Sequence, residues 1–311
     1  MRQRTLTGPP SILPLYARAA APLIPGASLL PFVPGGGKEI PDVELTLPDV
    51  VADSEAVAAY AKVCGFTLRD SLPPTYPHVL AFPLHMALMA DGSFPFGAVG
   101  LVHVENRIVQ HRPIGLAEQL TLRVRGTKLE PHPKGRTFSI VSEARVGAEL
   151  VWEDVSTMLR RGGGRSEPNG GKDAPGPADA DNAEQAASAE WKLGGDLGRR
   201  YAAVSGDRNP IHMHSLTAKP LGFPRAIAHG MWTKARALAA LEGRLPDAFA
   251  VDVRFRRPIL LPATVAFASS DSGDEIDFAV RDAKRGTPHL DGRVAPLEAK
   301  KKTSTGRKRA S

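Results

Sequence analysis

Cysteine is almost absent from this chain: Cys64 is the only one in 311 residues. An intrachain disulfide and a cysteine-based zinc site are therefore excluded, and a reducing, cytoplasmic compartment is expected. Cys64 lies between Val63 and Phe66, which suits a small buried residue better than a nucleophile. No stretch is long and apolar enough to cross a bilayer. Ser11 to Pro34 is apolar, but Arg18 interrupts it, and Pro14, Pro22, Pro25, Pro31 and Pro34 break any helix. It reads as an extended arm packed on the body. Positive charge is also less abundant than the net +7 suggests. Lys300, Lys301, Lys302, Arg307, Lys308 and Arg309 supply six of those charges, in a tail without a large apolar residue. The remainder is close to neutral, so no nucleic-acid partner is expected, and the tail is expected to be disordered and solvated.

Gly162 to about Ser188 lacks large apolar residues almost entirely and is rich in Gly, Pro, Ala and Asp, the composition of a flexible linker. Its Gly170-Gly171-Lys172 resembles the end of a phosphate loop. The pattern fails, because its first glycine falls on Ser166, Asp173 replaces the Ser/Thr, and no strand precedes it.

What is present is a repeat on either side of that linker. Val251, Val253 and Phe255 alternate with polar residues, run into Arg257-Pro258-Ile259, and are followed by Val265 and Phe267. Val102, Val104 and Ile108 run likewise into Arg112-Pro113-Ile114, then Leu120, Leu122 and Val124. Further strands are predicted over Thr137 to Val146, Val151 to Leu159, Ile276 to Val280 and His289 to Val294. A helix is predicted ahead of each set, beginning near His85-Met86 and near His229-Gly230-Met231. The fold class is α+β, each half a helix lying on a curved antiparallel sheet. The expected organisation is an arm over 1–37, a first domain over 38–162, a linker over 163–188, a second domain over 189–298 and a basic tail over 299–311.

The chemistry concentrates in Gly206-Asp207-Arg208-Asn209-Pro210-Ile211-His212. Gly206 and Pro210 make it a loop after a short helix, Leu197 to Ser205. Asp and Asn taken singly are ordinary turn formers, and a lone histidine is more often a satisfied half-buried group. Together, in a chain with only four Asn, they point to a site. His212-x-His214 has no acidic or cysteine partner at ligand spacing, so no metal is expected. His229 reads as a packing or capping group at a helix start, and Tyr201 as core with a share in lining a slot. Arg208, Lys219 and Arg225 are the basic residues near the loop; each suits a solvated surface equally well.

The loop from Tyr201 to His212, with Ala228-His229-Gly230-Met231 downstream, resembles the MaoC-like, or R-specific enoyl-thioester hydratase, family. The resemblance covers the second half well and the first half only as a fold. It implies a double hot-dog fold with one working site. In the first half the corresponding loop reads Cys64-Gly65-Phe66-Thr67-Leu68-Arg69-Asp70-Ser71. Gly65 survives, Phe66 replaces the acid, Leu68 the amide, and the imidazole position falls near Ser71.

The resemblance also implies the activity: interconversion of trans-2-enoyl and (3R)-3-hydroxyacyl thioesters of CoA or acyl carrier protein, in fatty-acid metabolism and in particular synthesis. The catalytic residues would be Asp207, His212, Asn209 and Gly230, with Arg208 and Tyr201 toward the substrate. Asp207 and His212 would share a water, Asn209 would orient the water or the carboxylate, and Gly230 would offer a backbone N–H to the oxyanion. No cofactor is needed beyond the CoA or phosphopantetheine of the substrate. Pairing of two such chains is a further expectation. Two other readings stay open: a hot-dog thioesterase, disfavoured because the helix after Met231 has no acid before Glu242, and a non-catalytic acyl-binding subunit of a synthase complex.

Overall fold

The computed structural model describes residues 1–21, 37–162 and 187–297. The middle of the expected arm, nearly all of the expected linker and the expected basic tail lie outside them. In the first half the elements are β1 (Arg2–Thr5), α1 (Ile12–Ala20), β2 (Val43–Val50), α2 (Ser54–Cys64), α3 (Tyr76–Met89), β3 (Val102–Gln110), β4 (Leu120–Gly126), β5 (Glu130–His132), β6 (Gly135–Val146) and β7 (Glu149–Arg161). The second half has β8 (Ala189–Leu193), α4 (Leu197–Ser205), α5 (Pro210–Met213), α6 (Ser215–Ala218), a 3₁₀ turn (Lys219–Leu221), α7 (Gly230–Ala240), β9 (Phe249–Phe255), β10 (Ala263–Ser272), β11 (Glu275–Asp282) and β12 (Pro288–Pro296).

Apolar residues at every second position bury one face of these strands; Leu120, Leu122 and Val124 of β4 are each at most 1% exposed. The halves supply strands in matching order, β2-β4-β6-β7-β3 and β8-β10-β11-β12-β9. They join at the centre, where β3 pairs antiparallel with β9: Asn106 lies opposite Val253, and Ile108 opposite Val251. The result is one continuous sheet related to itself by a pseudo-two-fold axis through that pair. Helix α3 packs on β4 and β6, and α7 on β11. Both helices are buried around much of their circumference, as the central helix of a wrapped sheet must be.

Two sequence expectations need correction. The arm is not extended throughout: Ile12–Ala20 is helical. Pro14 falls in its first turn, where a missing N–H leaves no helical hydrogen bond unmade. The first central helix begins at Tyr76, well before His85, with Pro77 near its start and Pro83 inside it. Its apolar burial, with Leu84 and Ala81 fully enclosed, holds the helix across Pro83.

The halves can be matched bond by bond. Helices α2 and α4 both end on a left-handed glycine, Gly65 at φ 84° and Gly206 at φ 76°. Further on, Leu72 N–H donates to Ile114 O (2.8 Å), and Ala228 N–H to Ile259 O (3.0 Å). Isolated bridges Ser71–Gly115 and Ile227–Leu260 flank these bonds. Ser71 therefore corresponds to Ile227, not to His212 as sequence spacing suggested. The segment from Pro210 to Ala226 is an excursion without a counterpart in the first half. The match also sets Pro74 against Gly230, and His78 against Lys234.

Candidate active site

Helix α4 ends at Gly206, and the next residue, Asp207, is held by three donors or near-donors. Tyr16 of α1 donates its hydroxyl to Asp207 Oδ1 (2.9 Å) and accepts the Arg208 N–H (2.7 Å). Asn209 N–H donates to the same carboxylate oxygen (3.1 Å). His229 Nε2 bonds the Asp207 backbone carbonyl (3.0 Å) and lies 3.7 Å from Oδ2. The Asp207 side chain remains 28% exposed, into the cavity that it lines.

Pro210 starts α5, with Asn209 as its cap: Asn209 Oδ1 accepts the Ile211 N–H (3.4 Å). Asn209 thus steadies Asp207 through its backbone and not through its amide. Two residues on, His212 donates Nδ1–H to Ile227 O (2.8 Å). This bond fixes the tautomer and leaves Nε2 as the lone-pair nitrogen, without a protein partner among the described residues. The rings of His212 and His229 stack at 3.6 Å, and Tyr201 lies 4.8 Å from His229. Gly230 opens α7, and a Cβ there would meet the Phe255 ring at 3.0 Å. Asp207, Asn209, His212, Gly230 and Tyr201 all line one cavity of about 160 Å³.

Burial works against the charged form of Asp207, but His229, His212, the Asn209 N–H and the Tyr16 hydroxyl hold its carboxyl below the usual value. Burial pushes His212 below the ordinary imidazole value, with Asp207 and the Ile227 carbonyl pulling the other way. His229 is pushed down to about 3 by burial and then by His212. At neutral pH the site holds an ionised Asp207 beside two neutral imidazoles. Asp207, His212 and His229 each offer one ligand atom, all within 4.8 Å of one another. Two of their nitrogens are already committed to backbone carbonyls.

A MaoC like domain matches residues 182–292. The 3-hydroxyacyl-thioester dehydratase X of Mycobacterium tuberculosis is 38% identical over 288 residues, which span 93% of this chain and 99% of the relative. The chain belongs to the MaoC-like dehydratase family. The crystal structure of HtdX from Mycobacterium tuberculosis matches this MaoC-like chain with a TM-score of 0.72 at 37% identity, over 82% of this chain and 100% of that one. A second Mycobacterium tuberculosis protein, described as having a double hotdog fold, matches with a TM-score of 0.52 at 16% identity, over 80% of this chain and 93% of that one. The expected double hot-dog fold holds for this family member.

Of the residues singled out by sequence, the structure brings Asp207, Asn209, His212, Gly230 and Tyr201 together. Arg208 extends its side chain to the exposed surface, as do Lys219 and Arg225. His214 caps α6, accepting the Leu216 N–H (3.2 Å). His229 makes no cap bond; it packs, as expected, but at the centre of the site. Tyr16 was missed. Its contact spans 191 positions of sequence, and nothing local marks it.

Proposed function

We propose that this MaoC-like chain is a (3R)-specific hydratase/dehydratase of trans-2-enoyl and (3R)-3-hydroxyacyl thioesters, acting in fatty-acid metabolism. The 38% identical relative is a 3-hydroxyacyl-thioester dehydratase, which supports the reaction class. The observation that carries it is the pairing of an ionised Asp207 with a neutral, Nε2-unprotonated His212, beside a helix N-terminus that opens on a glycine.

Both side chains are bases at rest, so the proton delivered to C2 must come from the reacting water. Water bound between Asp207 and His212 gives one proton to His212 Nε2 as its oxygen attacks C3. Asp207 accepts a hydrogen bond from the second water hydrogen, which stays on the oxygen as the new hydroxyl, and stabilises the imidazolium; Asn209, which lines the same cavity, steadies the water. The thioester oxygen, carrying enolate charge, lies against the Gly230 N–H and the positive end of α7. His212 then returns its proton to C2. One water is added across one double bond, and the balance calls for no cofactor or metal. Dehydration is the reverse.

Both halves of the sheet lie in one chain, so the proposed catalytic unit is a single chain working in the cytoplasm, with pairing of two chains compatible with it. The thioesterase reading finds no support on α7: Glu242 beyond its end accepts the Thr67 N–H (2.9 Å) and pairs with Arg69 (3.2 Å), away from the cavity. The test is to follow loss of the conjugated thioester absorbance of trans-2-enoyl-CoAs and of enoyl carrier protein. Rapid loss with a (3R) product is expected. Absence of turnover with either carrier over a range of chain lengths would overturn the reading, and free CoA released from saturated acyl-CoA would replace it with hydrolysis.

A further inference from the structure

The cavity does not end at the catalytic loop. It continues into the first half along one face of α3, where His78, Phe82, His85 and Met89 repeat at helical spacing. His103 of β3 and Ser156 of β7 complete that wall. A slot for a plain alkyl chain needs apolar walls, yet three imidazoles stand together here. The His78 and His85 rings are 5.1 Å apart, and those of His78 and His103 6.4 Å.

Each ring has one nitrogen engaged. His78 Nδ1 meets Asp154 Oδ2 (2.8 Å), His85 Nε2 meets Ser142 Oγ (2.7 Å), and His103 bonds the Glu105 backbone. The second nitrogen of His103, the enclosed Nε2, has no protein partner among the described residues. Behind the wall, Asp154 also accepts from Asn106 Nδ2 and from Ser156 Oγ (3.1 Å). Lys234 of α7 then donates to Asn106 Oδ1 (2.5 Å), Asn106 O (3.3 Å) and Val251 O (3.1 Å). That network ties the two halves together and explains the engaged side of His78. It leaves the enclosed His103 Nε2 without a partner, and buried polar groups normally find one.

We propose that this end of the cavity is a subsite for a neutral oxygen function, a hydroxyl or a ketone, carried on the acyl chain beyond the reacting double bond. The inference rests on the hydratase reading above and names its substrate class. The path is short. A thioester oxygen at Gly230 lies beside the Phe255 ring, and Phe255 is 4.9 Å from the His103 ring, next to His78. A plain alkyl tail would offer the imidazoles no hydrogen bond, whereas a hydroxyl can both donate and accept. A site built this way discriminates strongly against the analogue lacking the oxygen. His85 and His103, pushed by burial to about 3, are neutral at pH 7 and suit a neutral ligand. A carboxylate has no free counter-charge here, since Lys234 already meets three acceptors. Metal binding by His78, His85 and Asp154, whose ligand atoms lie within 4.8 Å, competes poorly because both Asp154 oxygens are taken.

The test uses a length series of trans-2-enoyl-CoAs, each plain and with a terminal hydroxyl, together with calorimetric binding of the saturated counterparts. At one length the hydroxylated chain should bind and turn over about tenfold better or more. His103→Phe should bring that ratio toward unity, and Ser156→Ala is the second variant should the first not fold. An equal or better plain chain at every length overturns the subsite. Turnover without the preference removes the subsite and leaves the reaction. A binding preference without turnover of any thioester does the reverse.

Discussion

The segment from α2 to α3 and the segment from α4 to α7 begin alike and end differently. Tyr60 and Tyr201 hold the same place on their helices and face each other at 6.0 Å. Each helix stops on a left-handed glycine, and each chain returns to the sheet through an equivalent bridge. After Gly65 comes Phe66, which is 7% exposed and packs near Tyr60 (6.5 Å). After Gly206 comes Asp207, which faces the cavity. The second half then inserts the excursion that carries His212. Two residues ahead of α3 the first half has Pro74, which has no N–H, at the position matched in the second half by Gly230, the first residue of α7. The shared parts are what the fold needs, a helix end and a sheet bridge. The three departures are what the proposed chemistry needs: a carboxylate, an imidazole on a loop, and a free helix N-terminus without a Cβ.

Substitutions at four positions and one titration probe that contrast. His212→Ala should have the largest effect on turnover, lowering kcat by about 10²–10⁴-fold, since it removes the proposed acid-base group. Gly230→Pro copies the first half by deleting the backbone donor. A loss of about 10²–10³-fold in kcat is expected, against a smaller loss for Gly230→Ala, which keeps the N–H but crowds Phe255. Tyr16→Phe removes a hydrogen bond to a charged group, worth about 1.5 kcal/mol, and should lower kcat/KM by about tenfold and move the acid limb of the pH profile upward. Phe66→Asp copies the second half into the first. It should add no activity, because neither the excursion nor a Gly230 equivalent is there, and should lower stability by about 2 kcal/mol or more through an unpaired buried carboxylate.

The titration concerns the buried imidazoles of both halves. His85, His103 and His229 titrate near 6.5 when unfolded and are pushed by burial to about 3 when folded. Between those values the unfolded chain binds more protons, so stability falls as pH drops from 6.5 toward 3. Each imidazole contributes about 1.4 kcal/mol per pH unit over that window. Urea midpoints measured across it should decline. Activity should hold at neutral pH and fall only below the ordinary imidazole value, because His212 must be neutral and its pKa is lowered.

Alternation made the paired strands legible in sequence, as in β4 with Leu120, Leu122 and Val124 and in β11 with Ile276, Phe278 and Val280 buried at every second position. The outer strands β2 and β8 offered no hairpin partner nearby in sequence and were not anticipated. Proline misled twice. Pro14 reads as a helix breaker but sits in a first turn, and the prolines around Pro74 and Pro77 hide the start of α3. The chemistry of the loop was readable because Asp207, Asn209 and His212 lie within one short segment. What the sequence withheld depends on contacts made at a distance. The Ile227 carbonyl sets the His212 tautomer, the stacked His229 joins the site, and Tyr16 reaches Asp207 from the chain's first helix. Equivalence of Ser71 with Ile227 was hidden for a related reason: an insertion shifts the register without changing the bonds at its ends.

The central claim is that one site, in the second half, does the work of the whole chain. Turnover of trans-2-enoyl-CoA by Asp207→Asn, compared with the unaltered protein after both show the same circular dichroism, tests it most directly. The substitution keeps the shape and removes the charge, and a loss of at least about 10²-fold is expected. Full activity in the folded variant would place the chemistry elsewhere and contradict the account.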